Sequence, residues 1–271
     1  MAHRPAPTRG GQKSKSARDQ KPRKRRKPKA ISGQPEGRHL LYGRHAVEAA
    51  LANPARVVHA LYASQKDATD LAALRPGVSV LDFTDGIARA LPPGAVHQRV
   101  AIAADPLEQP ALPALLGHNP PDMLVMLDQV TDPHNVGAVF RSAAAFGAGG
   151  LIMQARHAPE ETATLARAAS GTLEQVPWVS VTNLNRALEE IAQAQYWTVG
   201  LDGAANDDLE DVVAGHQKLC LVFGAEGPGL RQNVKAHCDA LARLAIKRSV
   251  ESLNVSNAAA VALYIASKRA G

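Results

Sequence analysis

Aromatic residues are scarce: Phe, Trp and Tyr together make up 4% of 271 residues. With apolar content at 45%, a core is available, but it must be assembled from Ala, Val and Leu. Only two cysteines occur, Cys220 and Cys238. They lack paired metal-ligand spacing, and a disulfide framework does not suit a chain of this length. No metal is expected, and the natural setting is reducing and cytoplasmic. No apolar run approaches the roughly 18 residues of a membrane-spanning helix. The start of the chain has no apolar signal core, and its Lys-rich, Pro-interrupted pattern makes a poor amphipathic transit peptide. A Walker loop and the dinucleotide pattern G-x-G-x-x-G are both missing, which disfavours a nicotinamide-dependent oxidoreductase.

The formal net charge of +6 is unevenly spread. Residues 1–37 hold 12 Lys and Arg against Asp19 and Glu36, a balance of +10, so the remainder sums to −4. This arm has no aromatic residue, and Ile31 is its only large aliphatic after Met1. It cannot bury enough apolar surface to fold alone and is expected to be disordered. Clustered basic charge of this kind tracks a polyphosphate backbone, with affinity that falls as salt rises. A solubilising tail is the alternative. Nucleic acid is the expected partner.

Residues 38–106 alternate helix and strand. A helix over 43–51 ends at Asn53-Pro54, a strand covers 56–63, a helix 66–74, and short strands 78–81 and 98–103, which makes a small α/β module. His45 and His97 read as surface or structural histidines. Residues 107–121, with Pro110, Pro113, Pro120 and Pro121, read as a partly extended linker. A larger unit, 122–271, follows. Its Met123-Leu124-Val125-Met126-Leu127 is a continuous apolar run, the mark of a strand buried on both faces. Helices over 135–146, 161–169, 184–194, 231–237 and 253–269 alternate with strands over 150–153, 177–181, 197–201, 218–223 and 241–245. Such alternation implies a mainly parallel sheet covered on both faces, with ligands gathering at the carboxyl ends of its strands.

Three strand-exit loops stand out on that rule. The first, Leu127 to Gly137, leads into a helix whose Val136, Val139, Phe140, Ala143 and Ala144 share one face. Asn135 occupies the place of a helix cap, and Arg141 lies off the apolar face. The second, Phe223-Gly224-Ala225-Glu226-Gly227-Pro228-Gly229-Leu230, lets a ligand approach its backbone at the glycines. Glu226 repels a pyrophosphate, so a neutral or cationic ligand fits better. The third crowds Ser252, Asn254, Ser256 and Asn257 into six positions before an Ala-rich helix. One such residue suffices for a cap; four make a better site than a surface turn.

Together, N-x5-R, F-G-A-E-G-P-G-L and S-L-N-V-S-N-A-A-A-V, in this order within 123–270, resemble the three signature motifs of the SpoU (TrmH-like) family of RNA ribose 2′-O-methyltransferases. Tyr42-Gly43-Arg44-His45-Ala46-Val47 and Val96-His97-Gln98 resemble the ribosomal-protein-L30-like RNA-binding domain of its RlmB-type members, which methylate a guanosine ribose in 23S rRNA. A tRNA 2′-O-methyltransferase and a non-catalytic RNA-binding protein on the same scaffold are the alternatives. The resemblance implies a SPOUT-type α/β fold with a C-terminal trefoil knot, S-adenosylmethionine as methyl donor, and a homodimer whose interface adjoins the site. By position, Asn135 and Arg141 match the first motif's polar pair, Glu226 the second motif's acid, and Ser252 and Asn254 the third motif's pair. Gly224, Leu244 and Leu253 would contact the cofactor, largely through backbone groups. The chain departs from the family in having Ala245 and Arg248 where a proline and a glycine are common, and Arg99 where a glycine often follows His-Gln.

Methyl transfer from a sulfonium is an in-line displacement, so alignment is the main task. An arginine with a pKa above about 12 is a poor general base at neutral pH. The expected role of Arg141 is electrostatic: holding an adjacent phosphate and stabilising the developing alkoxide. Asn135, Ser252 and Asn254 are expected to orient the ribose, the arginine and the loop, and Glu226 to fix loop geometry or bind a partner's donor.

Overall fold

The computed structural model describes residues 39–247 and 252–269. The basic arm, residues 1–37, and Arg248 lie outside them.

Among the described residues, ten strands fall into two sheets. The first holds β1 (His39–Tyr42), β2 (Val58–Ala63), β3 (Val80–Asp82) and β4 (Val100–Ala104), in the order β1-β4-β2-β3. β4 runs antiparallel to both neighbours, and β2 pairs in parallel with β3. Helices α1 (Arg44–Ala52), α2 (Gln65–Ala73) and α3 (Asp85–Ala90) connect these strands. β1 was not anticipated in the sequence, where HLLY is too short to show a period. The proline-rich stretch before residue 122 is not wholly extended: α4 (Leu112–Leu115) forms there and buries Leu112.

The second sheet is all parallel, as the strand–helix alternation implies. Its strands are β5 (Met123–Asp128), β6 (Leu151–Gln154), β7 (Trp178–Val181), β8 (Trp197–Leu201), β9 (Leu219–Gly224) and β10 (Ala240–Ala242), ordered β10-β8-β9-β5-β6-β7. All six residues of β5 are buried, as the uninterrupted apolar run requires. Between the strands run α5 (Pro133–Phe146), α6 (Ala163–Ala168), α7 (Leu184–Gln193), α8 (Leu209–Val213), α9 (Gln232–Lys235) and the terminal α10 (Val255–Ser267). In α10 the buried residues are Val255, Ala259, Ala262, Leu263 and Ala266, the i, i+4, i+7, i+8, i+11 stripe of a helix packed on one side. No helix among the described residues is long and apolar enough to cross a membrane.

One apolar core continues from the first sheet into the second, joining Leu41, Val47 and Ile102 to Leu127, Phe140, Leu165 and Trp178. Its few aromatics are used with directed geometry: Phe140 meets Trp178 edge to face, centroids 6.4 Å apart, an arrangement worth about 1 kcal/mol beyond area burial.

Candidate active site

The sheet order sets where a ligand can lie. β5 is followed by its neighbour β6 on one side, whereas β9 leads to β10 on the other, so the strand order reverses between β5 and β9. Loops leaving adjacent strands in opposite directions open a crevice at their carboxyl ends. The first two motif loops leave from those two strands, and the third precedes α10, which packs on α5 and β9.

Three motif side chains meet there. The Asn254 carboxamide donates to Asn135 Oδ1 at 3.0 Å and to Glu226 Oε2 at 3.4 Å. Its own oxygen accepts from the Ser256 backbone N–H at 2.9 Å and from Ser256 Oγ at 2.6 Å. Asn254 therefore caps α10 and bridges the other two loops at once. The carboxamide N–H groups of Asn135 donate to no described residue.

Local chemistry explains the loop positions. α5 starts at Pro133, whose missing N–H is harmless at the first helical position, and Asp132 caps it by accepting from the His134 N–H at 3.1 Å. This corrects the expectation for Asn135, which lies two residues inside the helix with its side chain released for other contacts. The dipeptide Asp132-Pro133 was the available signal.

At the end of β5 lies a carboxylate that sequence reasoning passed over. Asp128, the last residue of β5, is 0% exposed and accepts from the Arg231 backbone N–H at 3.0 Å and Arg231 Nε at 2.8 Å. Arg231 Nη2 also donates to Gln154 Oε1 at 3.2 Å. The fork ties the ends of β5 and β6 to the residue that follows the second motif loop. An acidic residue closing a fully apolar strand was the signal that could have found it.

A Cβ added to Gly224 would sit 2.1 Å from Gly229 C and 2.2 Å from Leu230 N, so the strand exit and the returning loop touch backbone to backbone. Gly227 and Gly229 take positive φ, 85° and 67°, the left-handed region open to glycine.

Comparison with known proteins bears on these loops directly. Residues 122–264 match the model of the SpoU rRNA Methylase family, and residues 40–110 match that described as RNA 2′-O ribose methyltransferase substrate binding. The chain belongs to the SpoU family. The 23S rRNA (guanosine-2′-O-)-methyltransferase RlmB of Vibrio cholerae is 37% identical over 83% of this chain and 94% of its own length. Its namesake from Ralstonia nicotianae is 38% identical over 83% and 93%. Among solved structures, the SpoU methyltransferase AviRb from Streptomyces viridochromogenes in complex with AdoMet superposes with a TM-score of 0.71, at 24% identity, over 86% of this chain and 90% of that one, which shows a shared fold.

Not every SpoU motif residue joins the cluster. Arg141 lies six residues beyond Asn135 on α5, about 9 Å along the axis and roughly 240° around it. It is exposed and pairs with no described residue. Ser252 is exposed and likewise makes no hydrogen bond to a described residue. Leu244 and Leu253 are half-buried, and their backbone N–H groups donate to no described residue. Open glycine-rich backbone, uncommitted amide donors and a single carboxylate suit the neutral adenosine and the cationic sulfonium of S-adenosylmethionine. Among the described residues no cluster of His, Cys, Asp and Glu could hold a metal ion. Burial pushes both thiols up, Cys238 to about 12, so neither is a nucleophile at neutral pH.

Two cavities among the described residues lie elsewhere. One of about 600 Å³ is lined by Pro110, Leu115, Pro121, Gly149 and Pro177, at the amino ends of β5, β6 and β7. The other, of about 210 Å³, opens between the two sheets' helices.

Asn254→Asp separates its two tasks. The carboxylate still caps α10, so the melting temperature should change little. It can no longer donate, and it faces Glu226 and Asn135 Oδ1 with like polarity. A loss of about 1–3 kcal/mol of site organisation predicts a fall in turnover of roughly 10- to 100-fold, read by a tritiated-methyl transfer assay.

Proposed function

We propose that this chain transfers a methyl group from S-adenosylmethionine to the 2′-hydroxyl of a guanosine ribose in 23S rRNA. The observation that carries this is the hydrogen-bonded trio Asn135–Asn254–Glu226 at the strand-order reversal, in a chain of SpoU sequence. The activity named for the Vibrio and Ralstonia relatives supports the guanosine and the 23S RNA. Mapping 2′-O-methyl groups in RNA from cells with and without the protein tests it: a 23S guanosine should lose its methyl group, and an unchanged map would refute the assignment.

The bound donor supplies an electrophilic methyl group on a sulfonium. The protein aligns the ribose with it. Asn135 offers its free carboxamide N–H groups to ribose oxygens, with Asn254 holding that carboxamide in place. Arg141 holds the phosphate beside the target and stabilises the alkoxide that forms as the hydroxyl loses its proton to solvent water. Glu226 sets the second loop through Asn254, and Ser252 orients the third. Gly224, Leu244 and Leu253 hold the donor through backbone groups.

Residues 38–106, an L30-like module, bind the RNA; 107–121 link them to the methyltransferase domain 122–271. A trefoil knot at its C-terminal end accords with the packing of α10 against both α5 and β9. The exposed Val261 and Tyr264, 43% and 52% accessible, form an apolar patch on α10. Phe146 of α5 stacks edge-on against Tyr264 at 5.8 Å. This patch is the surface for a homodimer, and Arg141 belongs to the same α5–α10 layer. The enzyme works in the cytoplasm.

The basic arm contributes affinity through phosphate contacts. Deleting residues 1–37 should weaken RNA binding about tenfold or more at low salt. It should also flatten the slope of log K against log salt, since each lost single-strand phosphate contact removes about 0.7 from it. Fluorescence anisotropy at several salt concentrations measures both; an unchanged slope would leave the arm without this role.

A further inference from the structure

Arg56 is the only basic side chain in the buried set among the described residues, at 1% exposed. It stands two residues before β2 of the first sheet. Its guanidinium pairs with Glu161, which precedes α6, and with both oxygens of Glu174, which follows it. It also donates to the Asp105 carbonyl at 2.8 Å. Glu161 in turn accepts from the Leu107 N–H at 2.7 Å, and Glu174 from Asn53 Nδ2 at 2.7 Å. A single fork thus joins the first sheet, the start of the linker and the second sheet's helical layer. Burial would lower the Arg56 pKa, but the Glu174 hydrogen bond and the Glu161 charge outweigh it and raise it.

A buried ion network is seldom the most stabilising way to fill such a space; apolar residues of equal volume often do as well or better. What it adds is direction. The apolar packing between the sheets is non-directional and tolerates sliding. A planar guanidinium gripping two carboxylates and a carbonyl accepts one relative orientation. A cleft of about 210 Å³ sets Arg44, His45 and Gln98 of the first unit against Arg167 and Ser170 of the second. An RNA lying across that cleft touches both units at a spacing the fork holds constant.

We infer that Arg56 is a positioning residue that locks the RNA-binding module at a fixed attitude to the methyl-transfer site, so that substrate is selected by the span between the two. The inference rests on the RNA methyltransferase reading for its substrate and on the Arg56 geometry for the lock.

The test uses the full chain carrying Arg56→Met, Glu161→Gln and Glu174→Gln together, which removes the charges while leaving amide oxygens for the Leu107 and Asn53 donors. Spin labels at Lys66→Cys and Glu189→Cys, both exposed, report the distance between the units. The background carries Cys238→Ser, Cys220 being buried, and labelled protein is diluted with unlabelled. The expected result is a cooperative melt, donor affinity within about twofold of wild type, and a distance distribution about twice as broad. KM for a long structured rRNA fragment should rise about tenfold or more at nearly constant kcat, the signature of lost positioning rather than lost chemistry. A folded triple variant with an unbroadened distribution overturns the lock; a broadened one with unchanged KM overturns its role in selection. If the triple variant does not fold, Arg56→Lys decides. It keeps the charge but cannot grip both carboxylates, and should show the same broadening and KM rise to a smaller degree; wild-type values in it overturn the proposal. Should the wild-type enzyme methylate no RNA, the functional reading fails while the distance measurement still decides the lock.

Discussion

Arg141→Ala should reduce methyl transfer by roughly 100- to 1,000-fold, the usual cost of removing one group that stabilises charge developing in a transition state. It should leave S-adenosylmethionine affinity, measured by calorimetric titration, within about twofold. The separation follows from position. Arg141 is an exposed residue of α5, six residues past Asn135, and makes no hydrogen bond to the described residues of the Asn135–Asn254–Glu226 trio or the Gly224 loop. Removing it takes away no packing, since the buried face of α5 is Val136, Val139, Phe140 and Ala143. The variant should therefore melt within about 0.5 kcal/mol of wild type, as exposed substitutions do. Arg141→Lys keeps the charge but not the planar fork that grips a phosphate, and should recover only part of the rate. Normal methylation by the alanine variant would remove Arg141 from the mechanism.

Much of this is legible in the amino-acid sequence. The apolar run at β5, its polar exit loop and the glycines after β9 each carry a local signal. The parallel sheet of the second unit follows from strand and helix alternation, and the crevice from that sheet. Asn135, Glu226 and Asn254 were candidates because polar residues in strand-exit loops have few structural duties there. What stayed hidden is long-range. Arg56 opens the stretch read as a strand over 56–63, just after the Asn53-Pro54 break, where nothing local marks a basic side chain as buried. Its carboxylate partners are 105 and 118 residues away, so no window along the chain contains the pair. Asp128 and Arg231 are 103 residues apart and were missed for the same reason. β1 and α8 were missed for another: at four and five residues they span only one or two repeats of the strand or helix period, too few to stand out.

Gly224→Ala should be the most damaging single methyl group in the catalytic half. Its Cβ would fall 2.1 Å from Gly229 C and 2.4 Å from Gly229 O, and both are backbone atoms that no rotamer change can move. Overpacking in a core usually costs about 1–3 kcal/mol; here the strain must be relieved by lifting the 225–230 loop off the strand. That loop carries Glu226, which Asn254 reaches at 3.4 Å, and ends at Arg231, clamped on Asp128 at 2.8 Å. Lifting it pulls against a buried ion pair on one side and the trio on the other. Donor affinity is predicted to fall about tenfold or more, equivalent to about 1.4 kcal/mol or more, with turnover lost further because Asn254 gives up one of its two acceptors. Gly227→Ala is the control. It lies in the same loop with open space around its Cβ position and pays only for its φ of 85°, about 1–2 kcal/mol for an L-residue. If the two alanine variants bound S-adenosylmethionine equally well, the close approach at Gly224 would not be what shapes the donor site, and the Leu244 and Leu253 loop would have to shape it alone.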